Sequence, residues 1–134
     1  MRRNGETLIA AARKARRNAY APYSGYDVGA AIATSGERPR IFTGANVENA
    51  SFGATVCAER VALLEAVASG HRAFSAIAVV TPGKEPAPPC GMCLQVLSEF
   101  CDDLVIYLAA AGSRKIVETR LSTLMPSGFR GPIR

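Results

Sequence analysis

Three cysteines and one glutamate carry the most specific chemistry in this chain: Cys57-Ala58-Glu59 and, well downstream, Pro89-Cys90-Gly91-Met92-Cys93. Thiolates are strong zinc ligands, and three protein ligands leave the fourth tetrahedral position free for water, the layout of a catalytic rather than a structural site. Glu59 lies two residues after Cys57, so on a helix it points to a different side and is not expected in the same ligand shell. It is suited instead to touch a metal-bound water as general acid or base. In isolation Glu59 would read as an acidic residue complementing a helix N-terminus. Beside Cys57 and the CxxC pair, the catalytic reading prevails.

The other sulfur and nitrogen donors do not extend this set. Cys101 is eight residues beyond Cys93, about 12 Å along a helix axis, and reads as a buried free thiol. His71 follows the helix-ending Gly70, remote from Cys57, and reads as a surface residue.

The elements that must position these groups follow from periodicity. A first helix is expected over residues 6–19, with Leu8, Ala12, Ala15 and Ala19 on one face and Arg13, Arg16 and Arg17 on a solvated one. Tyr20-Ala21-Pro22-Tyr23-Ser24-Gly25-Tyr26 is a loop, punctuated by Pro and Gly. Residues 28–34 and 40–44 read as an antiparallel hairpin. Residues 57–69 are helical and apolar nearly all round, ending at Gly70, as for a helix packed on a sheet. Residues 76–80 form a fully buried strand. From Gly91 an amphipathic helix puts Cys93, Val96, Leu97 and Phe100 on one face, with Gln95, Ser98, Glu99 and Asp102 on the other. Residues 104–109 are again an apolar strand, and residues 115–118 add another. The alternation of strands and helices implies crossover connections and a partly parallel sheet, an α/β architecture. Cys57 and the Cys90/Cys93 pair then fall at helix N-termini, whose partial positive charge favours thiolate.

At 134 residues, 49% hydrophobic and 20% charged, the chain is expected to form a single globular domain spanning 1–134. The apolar stretch Leu8-Ile9-Ala10-Ala11-Ala12 is too short for a signal peptide, and no run approaches a membrane span. A cytoplasmic, reducing location is expected; the cysteines argue against a disulfide framework, and the close Cys90/Cys93 pair favours metal or redox chemistry. The net charge of +5 and the crowding of Arg2, Arg3, Arg13, Lys14, Arg16 and Arg17 near the start invite a nucleic-acid reading. Their helical spacing favours an ordinary solvated face, so neither nucleic acid nor membrane is an expected partner.

Zinc deaminases of nucleobases carry His-x-Glu, or its all-cysteine version, followed by Pro-Cys-x-x-Cys as a general pattern. With that pattern in place, the chain resembles the homotetrameric, three-cysteine cytidine deaminases from Tyr20 to Phe129. The resemblance is carried by Ala21-Pro22-Tyr23-Ser24, Val28-Gly29-Ala30-Ala31, Asn46-Val47-Glu48-Asn49-Ala50, Cys57-Ala58-Glu59-Arg60, Pro89 to Cys93, Gln95-Val96 and Leu124-Met125-Pro126.

The resemblance implies a three-layer α/β/α fold with a mixed, partly parallel five-stranded sheet. It implies hydrolytic deamination of cytidine and deoxycytidine to uridine and deoxyuridine, in pyrimidine salvage. Cys57, Cys90 and Cys93 would hold one Zn²⁺ per subunit; zinc-bound hydroxide would attack C4, with Glu59 as proton shuttle. Asn46 and Glu48 would bind ribose hydroxyls, the Ala58 backbone would meet the pyrimidine, and Tyr26 would line the base pocket where the family usually has phenylalanine. Phe129 would reach into a neighbouring subunit's site, so that a homotetramer shares its active sites. The chain departs from the family pattern at Phe52, commonly tyrosine, and at Leu94, typically arginine. Three thiolates and one Zn²⁺ sum to −1, so without that second arginine Arg60 must carry more of the compensation.

Three alternatives remain open. A deaminase of a modified cytosine nucleoside, of the blasticidin S type, shares Cys-x-Glu and Pro-Cys-x-x-Cys, although the Asn46 to Ala50 segment fits ribose better. A zinc-stapled nucleic-acid-binding module would need four ligands and salt-sensitive binding. A polynucleotide deaminase fits less well, because cysteine stands in place of histidine.

Overall fold

A computed structural model describes residues 2–132, with side chains from Gly5 onward; Arg2 and Arg3 of the basic cluster therefore lie outside the described side chains. The elements run α1 (Arg2–Arg16), β1 (Gly29–Thr34), β2 (Ile41–Ala45), a 3-10 turn (Phe52–Ala54), α2 (Ala58–Ala68), β3 (Phe74–Thr81), α3 (Gly91–Phe100), β4 (Val105–Ala110), β5 (Ile116–Arg120) and α4 (Leu121–Leu124). The sheet order is β2-β1-β3-β4-β5, with β3 and β4 parallel and the other neighbours antiparallel. β1 pairs antiparallel with both β2 and β3, so β2 and β3 run in the same direction. The mixed five-stranded α/β/α expectation is borne out.

Period-two alternation sorts the apolar strands onto two faces. Ala30, Ile32, Ile77, Val79, Ile106 and Leu108 join Ala62, Leu63, Leu94 and Leu97 from α2 and α3. Ala31, Ala76, Ala78, Val80, Tyr107 and Ala109 face Leu8, Ile9 and Ala12 of α1. β3 and β4 read as unbroken apolar runs because they are covered on both sides. The alanines beneath α1 let the helix sit low. Gly29 shows how low, since a Cβ there would come within 2.1 Å of the Ala12 carbonyl oxygen and 2.6 Å of the Arg16 nitrogen.

Three local expectations change. α1 ends at Arg16 rather than 19, where Arg17, Asn18 and Ala19 make turn bonds to Lys14, Ala15 and Arg16. Arg13 and Arg16 are not merely solvated: Arg13 donates to the Ala110 and Ser113 carbonyls at 3.1 and 3.4 Å, and Arg16 donates to the Asp27 carbonyl at 2.6 Å. Carbonyls at strand ends and in loops lack ladder partners, and these guanidinium groups satisfy them. On α3 the buried face is Cys93, Leu94, Leu97 and Ser98. Ser98, expected on the polar face, is buried and donates its hydroxyl to the Gln95 carbonyl at 2.7 Å, a local bond that makes its burial tolerable. No helix among the described residues is long and apolar enough to cross a membrane.

Candidate active site

Because β2 and β3 run the same way, the helices that follow them begin at the same end of the sheet, the carboxyl end where ligands of α/β sheets characteristically bind. Cys57 is the N-cap of α2, and Cys90 the N-cap of α3, with Cys93 in its first turn. Gly44 lets β2 approach α2: a Cβ there would stand 2.5 Å from the Ala62 nitrogen and 2.7 Å from the Ala58 carbonyl oxygen. That contact seats the first turn of α2, with Ala58 and Glu59 buried.

The sulfurs of Cys57, Cys90 and Cys93 lie within 4.8 Å of one another, and this is the one cluster of potential metal ligands among the described residues. Cys90 and Cys93 are 3.4 Å apart. A tetrahedral zinc with Zn–S bonds of about 2.3 Å holds its sulfurs about 3.8 Å apart, so the cluster fits one such ion with a position left over. Neither Cys101 nor His71 belongs to it; Cys101 is buried at the end of α3, and the His71 ring lies 5.2 Å from that of Phe42.

Charge is distributed unevenly here. The Cys57 thiol is pulled down to about 5, chiefly by hydrogen bonding with Cys93, then by Arg60, against an opposing effect of burial. Cys93 is pushed up by the same bond, by burial and by the nearby Glu59 charge. Arg60 donates from Nη2 to the Thr55 carbonyl at 3.4 Å and to the Cys57 sulfur at 3.5 Å. Its Nε is buried without a partner. Leu94 lies in the apolar core and supplies no charge. Glu59 is only 6% exposed, and burial pushes its carboxyl up to about 7, aided by the Cys57 charge. A carboxyl so placed can take up and release a proton near neutrality.

A cleft of about 270 Å³ opens over this floor, lined by Tyr26, Asn46, Glu48, Cys57, Ala58, Glu59 and Cys90 together with Ser24, Val28, Thr55, Thr81 and Pro88. Asn46 is 8% exposed; its Oδ1 accepts from Val28 N–H at 2.9 Å and its Nδ2 donates to the Tyr26 carbonyl at 2.8 Å. Glu48 accepts the N–H groups of Tyr23 and Ser24. Both residues therefore tie the Tyr20 to Val28 segment onto the site. Phe129 is not part of its own chain's cleft: it is 72% exposed, and its carbonyl accepts from Gln95 Nε2 at 3.0 Å. Sequence reasoning missed Ser24, Thr55 and Thr81; Ser24 lay in the Ala-Pro-Tyr-Ser segment, which marked a loop but assigned that hydroxyl no task.

The family model of the cytidine and deoxycytidylate deaminase zinc-binding region matches residues 2–109. The chain belongs to that family. Within it, a cytidine deaminase of Halalkalibacterium halodurans is 46% identical over 125 residues, covering 92% of each chain. A crystal structure of cytidine deaminase from Burkholderia pseudomallei superposes with a TM-score of 0.87 at 44% identity, covering 92% of this chain and 98% of that one. A blasticidin-S deaminase of Bacillus cereus is 33% identical over 110 residues, covering 75% of each. The family's zinc and the three-sulfur cluster agree: a zinc-binding deaminase domain here has a site able to hold that ion.

Proposed function

We propose that the protein deaminates the free nucleosides cytidine and deoxycytidine to uridine and deoxyuridine with release of ammonia, as a zinc-dependent hydrolase of pyrimidine salvage. The observation that carries this reading is the buried Glu59 carboxyl beside three converging cysteine sulfurs on the floor of a cleft that Asn46 and Glu48 also line.

Cys57, Cys90 and Cys93 would hold the zinc. When bound, zinc supplies a Lewis-acid centre with one open position, at which water is acidified towards neutrality. Glu59 takes a proton from the attacking water and passes it to ring N3 as the C4–O bond forms; it then takes the proton of the new C4 hydroxyl and gives it to the amino group, which leaves as ammonia as the C4–N bond breaks and the C4 carbonyl forms. Its pKa of about 7 suits both directions of transfer. The Ala58 backbone meets the base and Tyr26, 46% exposed at the cleft, covers it. Asn46 and Glu48 take the sugar hydroxyls, with the lone pair and N–H that Asn46 has left and the carboxylate of Glu48. Arg60 offsets the excess negative charge of the thiolates.

Residues 1–134 act as one cytoplasmic domain in this reading. Phe129, exposed and outside its own cleft, serves the site of a neighbouring subunit in this reading, and the resemblance to the homotetrameric deaminases makes that assembly a homotetramer. The loss of cytidine's ultraviolet absorbance with purified protein, beside a Glu59→Gln control, tests the activity. No loss with cytidine or deoxycytidine would overturn it. The likeness to a blasticidin-S deaminase keeps one second reading in view, and turnover of blasticidin S in the same assay separates the two.

A further inference from the structure

Glu48 does not stand free in the cleft. Its Oε1 accepts the backbone N–H groups of Tyr23 at 2.9 Å and Ser24 at 3.1 Å, while its Oε2 accepts the Ser24 hydroxyl. The Ser24 Oγ in turn accepts the Tyr26 N–H at 3.0 Å. A serine hydroxyl has one proton to give, and here it goes to Glu48. Little packing holds this carboxylate otherwise, because the four residues sit at the solvent-facing side of the site and Tyr23, Ser24 and Tyr26 are all exposed. The Ser24 bond is also the first cause holding the Glu48 carboxyl below its ordinary value.

We propose that Ser24 is a positioning residue for sugar recognition: by orienting the Glu48 carboxylate it sets the protein's selectivity for nucleosides with free sugar hydroxyls. The inference rests on the nucleoside reading above. A carboxylate offers about four acceptor positions. Three are filled by the loop, so the one left, on Oε2, accepts a single hydroxyl and repels a phosphate in its place. Without the Ser24 hydroxyl, Oε2 turns about the broad terminal torsion of the glutamate, and the sugar must order it on binding. The loss then falls on substrate binding, because Glu59 and the cysteine sulfurs lie outside this hydrogen-bond network.

Steady-state kinetics of Ser24→Ala with cytidine and with 2′,3′-dideoxycytidine test this. The expected result with cytidine is a KM higher by on the order of tenfold, as for losing a hydrogen bond to a charged group, with kcat changed less than about threefold. With the dideoxynucleoside, which lacks the 2′- and 3′-hydroxyls that Glu48 is proposed to accept and keeps only the 5′-hydroxyl, Ser24→Ala and wild type should agree. Ser24→Thr, which keeps the hydroxyl, should return KM towards wild type, and Ser24→Ala should add nothing in a Glu48→Gln background. A cytidine KM for Ser24→Ala within about twofold of wild type, or an equal rise with the dideoxynucleoside, overturns the inference. A wild-type protein inert towards cytidine overturns the nucleoside reading itself, and this inference with it.

Discussion

Replacing Arg60 by glutamine tests the charge balance of the sulfur cluster. Three thiolates and one Zn²⁺ sum to −1, a charge that opposes ionising bound water and weakens retention of the ion's full ligand set. Arg60 Nη2 stands 3.5 Å from the Cys57 sulfur, and hydrogen bonding to Cys57 in turn raises the guanidinium's own affinity for its proton. Leu94, directly after Cys93, is apolar and buried, so it shares none of this task. Two unit charges at that separation attract by about 5 kcal/mol at an effective dielectric constant near 20. That figure is a ceiling, because water enters the cleft and the guanidinium gives up hydration to make the contact. Removing a group that supports a metal ligand costs on the order of 10- to 100-fold in metal affinity, about 1.4–2.7 kcal/mol, well inside the ceiling. Arg60→Gln should therefore bind zinc 10- to 100-fold more weakly by that measure. Arg60→Lys should fall between, keeping the charge but losing the rigid planar guanidinium whose Nη2 donates to both the Thr55 carbonyl and the Cys57 sulfur. The assay is competition for zinc against a chromophoric chelator at neutral pH, with circular dichroism melts confirming that the variants fold. A folded Arg60→Gln protein whose zinc affinity stays within about threefold of wild type would refute the charge argument.

Gly44→Ala should lower stability by about 1–3 kcal/mol, the cost of overpacking, because the new methyl meets backbone atoms of α2 at 2.5 and 2.7 Å. A thermal melt should show Tm down by roughly 4–10 °C, and an unchanged Tm would contradict the close approach. Asp103 is held below its ordinary carboxyl value of 3.8, first by the Ser122 N–H and then by the Ser122 hydroxyl and Leu104 N–H. A folded pKa that is depressed contributes stability above the unfolded value and loses it as pH falls through the folded one. Denaturant midpoints followed from about pH 6 to about pH 3 should therefore fall more steeply for wild type than for Asp103→Asn, and parallel curves would count against it.

The strands and both helices of the site were legible because each declares itself over a short window. β3 and β4 are buried on both faces and so read as unbroken apolar runs, and α2 buries Ala58, Ala62, Leu63 and Ala66 while its apolar Leu64 stays exposed. Most of what escaped notice depended on partners far along the chain. Arg13 looked solvated because the Ala110 carbonyl it binds is 97 residues away. Ser98 looked like a surface residue because its polarity marks it so, yet a local bond to the Gln95 carbonyl lets it sit in the interior. At the site, Asn46 and Glu48 could be named from their motif, while their hold on the loop at Tyr23, Ser24 and Tyr26 could not, since nothing local links residue 24 to residue 48.

The sequence by itself determined the donor set: three thiols and a carboxyl in an order and spacing that suit a three-ligand zinc site with a proton carrier beside it. Ligand type and helix spacing are local properties, and no fold is needed to read them. Tertiary structure alone decided that the two cysteine segments meet, with their sulfurs within 4.8 Å. They meet because β2 and β3 run the same way and deliver two helix N-termini to one end of the sheet, and because Gly44 lets α2 lie close enough to seat Cys57. The buried state of Glu59 is equally a product of neighbours, and burial is what moves its carboxyl into the range where it can carry a proton both ways.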